Sequence, residues 1–190
     1  SNMLDHFGLL APFYERFIPP PNPERWLKLL DLPVAGNLLD AGGGTGRVSG
    51  QLRPYVQHMV IADESAKMLA EARAKAVCCP VVGGVERLPF ADNSFDRVMV
   101  VDALHHFANQ RLAIADLARV LKPGGRLVIE EPDLHRLSVK FVAVAEKVAL
   151  MRSKFYYPEA IRDMAAACWL QTSIESDGRF AAWVIAEKEV

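Results

Sequence analysis

The sequence predicts an α/β fold: an open, doubly wound sheet, mostly parallel, with helices on both faces and a final antiparallel strand. Three observations predict it. Short apolar runs alternate with helical stretches along the chain. Those runs are continuous rather than alternating, as in Met59-Val60-Ile61-Ala62 and Arg97-Val98-Met99-Val100-Val101, which is how strands buried on both faces read. The tail carries two β-prone runs, Thr172 to Glu175 and Phe180 to Ala186. They are joined by Ser176-Asp177-Gly178-Arg179, whose Asp-Gly pair reads as a hairpin turn.

The elements follow in order. Leu4 to Ile18 carries Leu4, Phe7, Leu10, Phe13, Tyr14 and Phe17 near helical spacing, interrupted by Pro12. Pro19, Pro20, Pro21 and Pro23 separate it from a second helix. There Asn22 reads as the N-cap and Pro23 as the first helical residue, with Trp26, Leu27, Leu29 and Leu30 following and an end near Pro33. Strands are expected at Asn37 to Asp40, Met59 to Ala62, Val81-Val82, Arg97 to Val101 and Leu127 to Ile129. Helices are expected between them at Arg47 to Pro54, Ser65 to Ala76 and Asn109 to Leu121. The last is closed by Lys122-Pro123-Gly124-Gly125 as a stop and turn. Residues 1–33 thus read as a helical lid segment. Residues 34–190 read as one α/β domain with a helical insertion over 134–168.

Composition bounds the function. The 190 residues are 51% hydrophobic and 24% charged, which is ordinary for one globular domain and argues against disorder. Lys and Arg total 22 against 23 Asp and Glu, so there is no overall basic field for nucleic acid. Cys78, Cys79 and Cys168 form no C-x-x-C pair, so neither a zinc site nor a disulfide framework is expected, and no metal is assigned. No apolar run reaches the ~18 residues of a membrane span, and no signal segment opens the chain. Ser1 and Asn2 read as a cloning remnant. A cytoplasmic protein is the expectation.

The sharpest local signal is Leu38-Leu39-Asp40-Ala41-Gly42-Gly43-Gly44-Thr45-Gly46-Arg47, where the first strand meets a helix. Glycines there allow a tight turn and close approach of a ligand, and open α/β sheets bind ligands outside the carboxyl ends of their strands. Gly42 and Gly44 fit the first two positions of the dinucleotide fingerprint G-x-G-x-x-G, but the third falls on Arg47. No Lys-Ser or Lys-Thr follows, which excludes a Walker loop. A plain structural turn is the competing reading. Asp63, at the end of the second strand, is placed to accept from ribose hydroxyls; its competing reading is an N-cap.

With these residues in view, the chain resembles class I S-adenosylmethionine-dependent methyltransferases of the small-molecule, quinone-biosynthesis type. The glycine turn is similar to motif I of that family. Asp63-Glu64-Ser65 followed by Met68-Leu69 is similar to its second-strand pattern. Glu86-Arg87-Leu88-Pro89-Phe90-Ala91-Asp92-Asn93-Ser94-Phe95-Asp96-Arg97-Val98, Leu104-His105-His106 and Leu121-Lys122-Pro123-Gly124-Gly125-Arg126-Leu127 follow in the family's order. The resemblance covers Leu38 to Glu131 and implies a Rossmann-like fold with S-adenosylmethionine as cofactor. It implies that Asp40 lies near the methionine end, holding the glycine turn and, directly or through water, the amino group. Gly42, Gly44 and Gly46 would lie against the cofactor. Asp63 would take the ribose hydroxyls, with Glu64 and Met68 beside it. Val85 and Glu86 would lie near the adenine, and Asp102 near the methionine moiety. The sequence departs from the family at Gly84, where an Asp often accepts from the adenine amino group, and at Cys168-Trp169, where Ala-Gly-Phe is common.

Methyl transfer is an in-line displacement that needs alignment and exclusion of water. A base is needed only where the acceptor must lose a proton. His105 and His106 are the candidates, against a reading in which they only cap and pack. Glu130, Glu131, Asp133 and His135 also follow a strand, and His6 and Tyr14 belong to the leading segment. Leu137, Phe141, Val144, Val148 and Met151 form an apolar stripe that is buried, covers an apolar ligand or makes a homodimer contact. With Phe155, Tyr156, Tyr157, Phe7, Phe13, Tyr14 and Phe17 it would wall a site for a small apolar or aromatic acceptor. The alternatives are a cofactor-binding module without transfer activity and, against the glycine spacing, a nicotinamide oxidoreductase.

Overall fold

The computed structural model describes residues 22–75, 79–136, 139–140 and 153–190. The leading segment with His6 and Tyr14, Cys78, and the stripe Leu137, Phe141, Val144, Val148 and Met151 lie outside the described residues.

Helix α1 spans Pro23–Leu29. Asn22 caps it by accepting from the Arg25 N–H, and Pro23 sits where no N–H is needed, as the sequence predicts. Strand β1 (Val34–Ala41) leads through the glycine turn to α2 (Ser49–Leu52) and a 3-10 turn at Arg53–Tyr55. Strand β2 (Val56–Asp63), helix α3 (Ala66–Ala74) and β3 (Cys79–Val82) follow, then β4 (Phe95–Val101), α4 (Gln110–Val120) and β5 (Leu121–Pro132). Helix α5 (Pro158–Ala166), β6 (Leu170–Ser176) and β7 (Ala181–Lys188) complete the order.

Among the described residues seven strands form one sheet, β3-β2-β1-β4-β5-β7-β6. Strands β1 to β5 are parallel, and β7 runs antiparallel to both β5 and β6, between which it is inserted. The expected hairpin is there. Asp177 Oδ1 holds its turn by accepting from the N–H groups of Arg179, Phe180 and Ala181.

Neighbouring residues on each strand enter different cores. Leu39, Val98, Val100, Leu127 and Ile129 pack with α4 and α5. Leu38, Met99 and Val128 pack with Trp26, Leu29 and Leu30 of the α1 segment and Leu52 of α2. Ile61 meets Leu69 and Ala72 of α3. Burying each large side chain contributes about 1.5–3 kcal/mol, so the Trp26 helix is part of the domain core.

Two expectations are corrected. The helix predicted from Arg47 to Pro54 is only four residues before the 3-10 turn; Gly50 weakens the helix and Pro54 supplies no donor. The stop at Lys122-Pro123-Gly124-Gly125 is not a loop between helix and strand. The helix ends at Val120, and β5 already pairs at Leu121. The register then jumps from Phe95↔Leu121 to Arg97↔Arg126, so these residues bulge from β5, with Gly124 at φ +73°. Among the described residues no helix is long and apolar enough to cross a membrane.

Candidate cofactor and acceptor site

The strand order reverses between β1 and β4, and ligands of open α/β sheets bind outside the carboxyl ends of the strands at such a point. The site is built there from the ends of β1 to β5.

The turn after β1 is held from both sides. Gly42 N–H donates to the Ala62 carbonyl at 2.7 Å, and Gly46 N–H to the Gly43 carbonyl at 2.9 Å. Gly44 has φ +54°, a left-handed conformation that disfavours a side chain, and its N–H donates to Asp63 Oδ2 at 3.0 Å. A Cβ there would lie 3.3 Å from Met68 Sδ and 3.9 Å from Asp63 Oδ2, so the bare backbone leaves a cradle between those groups.

Asp63 is not the cap of α3. Ser65 caps it, accepting from the Met68 N–H, while Asp63 Oδ1 accepts from the Ser65 N–H at 2.8 Å. Each carboxylate oxygen therefore fixes one backbone amide and keeps a lone pair. Met68 is 43% exposed.

Asp40 lies beneath the turn, 2% exposed. Its Oδ2 accepts from the Ser49 hydroxyl, and its Oδ1 is buried with no hydrogen-bond partner in the described structure. Burial raises its carboxyl to about 7, against the lowering by Ser49. Sequence spacing gives no sign of Ser49, because the pair forms only where α2 folds back over β1.

Gly83 N–H donates to the Asp63 carbonyl at 3.1 Å, joining the ends of β2 and β3. Val85 is buried at the start of a 3-10 turn. A Cβ on Gly84 would lie 2.9 Å from Glu64 Oε1 and 3.2 Å from Glu86 Oε2. Two carboxylates thus flank the space a side chain at 84 would enter. Glu86 uses its own side chain here, Oε1 accepting from the Asn109 N–H at 3.2 Å.

Beyond β4, Asp102 has φ +50° and donates its N–H to the Glu130 carbonyl. His105 is 1% exposed, with Nδ1 2.8 Å from Glu131 Oε2 and 3.9 Å from Asp102 Oδ1. Phe155 stacks on it at 4.3 Å and 16°, and the Lys154 N–H donates to the His105 carbonyl. His106 is exposed on one side, yet packing around the ring and the nearby His105 push it down to about 4, so it is neutral at pH 7. The Glu130 carboxyl is raised by burial and accepts from Trp183 Nε1 at 2.6 Å. His135 lies away from these groups, against Glu159. Sequence reading found both histidines and the acids after β5. It did not pair His105, in the 3-10 turn after β4, with Glu131 on β5, 26 residues away.

Residues 39–129 match the family model described as methyltransferase domain. Over 104 residues the chain is 40% identical to a ubiquinone/menaquinone biosynthesis C-methyltransferase of Stutzerimonas stutzeri, covering 50% of this chain and 41% of that protein. It is 36% identical over 132 residues to a malonyl-[acyl-carrier protein] O-methyltransferase of Erwinia pyrifoliae, covering 66% of this chain and 50% of that one. The chain therefore spans about half the length of the curated relatives it matches, or less. A solved structure described as a putative methyltransferase of Bacillus halodurans superposes with a TM-score of 0.78 at 18% identity, over 89% of this chain and 99% of that one, and so shares the fold. The family implies S-adenosylmethionine as methyl donor, and a glycine cradle beside a half-exposed carboxylate suits it. The matched residues, just under half of the chain, are similar to the methyltransferase domain of quinone-biosynthesis enzymes, and the sheet order and superposition show that the chain has the class I methyltransferase fold.

Proposed function

We propose that this protein moves a methyl group from S-adenosylmethionine to a small apolar or aromatic acceptor. The observation that carries the reading is Asp63: its two oxygens fix Gly44 and Ser65 at the strand-order reversal, which presents a rigid acceptor to a ribose diol. Bound S-adenosylmethionine supplies a methyl group already activated by the sulfonium. The protein's part is then to bind, align and exclude water.

Gly42, Gly44 and Gly46 are assigned to backbone contact with the cofactor, with Met68 packing beside Gly44. Val85, Glu64 and Glu86 are assigned to the adenine end, where the two carboxylates flank Gly84. Asp102 is assigned to the methionine end, and Asp40 supports the turn from below. The aromatic groups beside His105, Phe155 above all, favour a flat acceptor. A ring neutral at pH 7 with a conjugate acid near 4 is a weak base, so His106 serves as a hydrogen-bonding partner, and alignment rather than proton removal drives transfer. Exposed Cys79 and half-buried Cys168, both unpaired, suit a reducing cytoplasm.

Calorimetry with S-adenosylmethionine and S-adenosylhomocysteine, with NAD as control, tests the reading. Micromolar binding of the first two that weakens at least tenfold in Asp63→Ala supports it, and turnover is then sought on quinones and phenols. Binding of NAD instead, or binding indifferent to Asp63→Ala, overturns it.

A further inference from the structure

Two carboxylates and an imidazole converge at the ends of β4 and β5. Asp102, His105 and Glu131 each bring one ligand-type atom, and these atoms lie within 4.8 Å of one another. Their side chains are 22%, 0% and 4% exposed. Glu131 makes no ion pair with a Lys or Arg among the described residues, and its Oε1 is buried without a hydrogen-bond partner there. Its neighbour Glu130 adds negative charge and is turned to Trp183.

The spacing suits an ion. Two donors about 2.1 Å from one cation stand about 3.0 to 3.5 Å apart at octahedral to tetrahedral angles. His105 Nδ1 stands 2.8 Å from Glu131 Oε2 and 3.9 Å from Asp102 Oδ1, and no two of the three donors are more than 4.8 Å apart, so His105 and Glu131 are already close to a shared centre and the partly exposed Asp102 carboxylate turns in to complete it. Asp102 sits in the bend just after β4 with its N–H on the Glu130 carbonyl, His105 in a 3-10 turn and Glu131 on β5, so the β4–β5 ladder beside them holds the set in place without a ligand.

We propose that Asp102, His105 and Glu131 form a binding site for a divalent first-row transition cation. One imidazole and two carboxylates suit manganese, iron or zinc rather than an all-oxygen cage for calcium or a thiolate site. Three protein ligands leave at least one position open to an acceptor oxygen. A cation there acts as a Lewis acid, lowering the pKa of a phenol or enol so that methyl transfer needs no strong protein base; this use rests on the methyltransferase reading. His105 is then a ligand rather than a base.

The test uses the full chain and the metal alone. Mn²⁺ is titrated by electron paramagnetic resonance and Zn²⁺ by calorimetry, with thermal unfolding in parallel. The expected result is one site, tighter for Zn²⁺ than for Mn²⁺, with a rise in melting temperature on binding. Glu131→Gln keeps an oxygen that accepts from His105 Nδ1 while removing the charge, so it folds and weakens binding at least tenfold. Asp102→Asn, a second and partly exposed ligand, does the same. Absence of binding at 1 mM of either metal overturns the proposal and leaves a proton shared between His105 and Glu131. Binding that neither variant weakens also overturns it, placing the ion elsewhere, for instance on exposed Cys79. S-adenosylhomocysteine binding is measured separately. Its failure speaks against the function proposed above, and not against the cation site.

Discussion

Asp40→Asn isolates the buried carboxyl under the glycine turn. In the folded protein its pKa is raised to about 7 from 3.8, chiefly by burial. The folded state therefore holds a proton that the unfolded chain releases between pH 4 and 7. Its contribution is fully present below pH 4 and is lost as pH rises through about 7. Three pKa units correspond to about 4 kcal/mol, a large part of the 5–15 kcal/mol that a domain commonly has. Asn keeps an oxygen for the Ser49 hydroxyl and does not titrate. Its amide brings its own fixed penalty, so the useful quantity is the pH dependence of the difference between the two proteins. Urea unfolding at pH 4.5, 5.5, 6.5 and 7.5 measures it. The wild type should lose stability relative to Asp40→Asn by about 1.4 kcal/mol per pH unit in the middle of that range. A difference that changes by less than about 1 kcal/mol over the whole range would refute the burial argument.

Three further outcomes are expected. In Gly43→Ala the new methyl meets the Asp40 carboxyl and lies 2.8 Å from Ile61 Cγ2, both packed groups, so calorimetric melting should show a loss of about 2–3 kcal/mol; an unchanged melting temperature refutes the close packing. In Trp183→Phe the half-buried Glu130 carboxylate loses its indole donor. Because its folded pKa is already raised, the loss should grow with pH, to about 1–3 kcal/mol at pH 8 and less at pH 4, and denaturant curves showing equal losses would contradict this. Asp177→Ala removes an oxygen that serves three backbone amides, for about 1–2 kcal/mol, and Asp177→Asn should recover most of it; equal losses in unfolding experiments would clear the hairpin cap of any role.

Most of the fold is legible because strands buried on both faces leave a strong signal. The run Arg97 to Val101 reads as a strand buried on both faces, and β4 lies between β1 and β5. The hairpin was legible from Asp177-Gly178, since few residue pairs turn a chain so tightly. Lys122 to Gly125 misled, because Pro and Gly mark a bulge as readily as a loop, and only the pairing of Leu121 with Phe95 separates the two. The short α2 misled for a related reason: a glycine and a proline weaken a helix by amounts that its surroundings decide.

The candidate site divides in the same way. The glycine turn and Asp63 could be named from the chain because turn chemistry and an acid at a strand end are local features. The competing cap role of Asp63 could not be settled so, since Ser65 lies two residues on and is an equally good cap. Asp40 with Ser49, Glu64 with Gly84, and His105 with Glu131 and Phe155 are meetings of residues from separate elements. By itself the sequence determined the layers, the strand run and the glycine turn, because periodicity and backbone preference act over a few residues. The tertiary structure alone decided which acids are buried, which pair with a histidine and which fix a backbone amide. Desolvation and charge depend on every atom within a few ångströms, whatever its place in the chain.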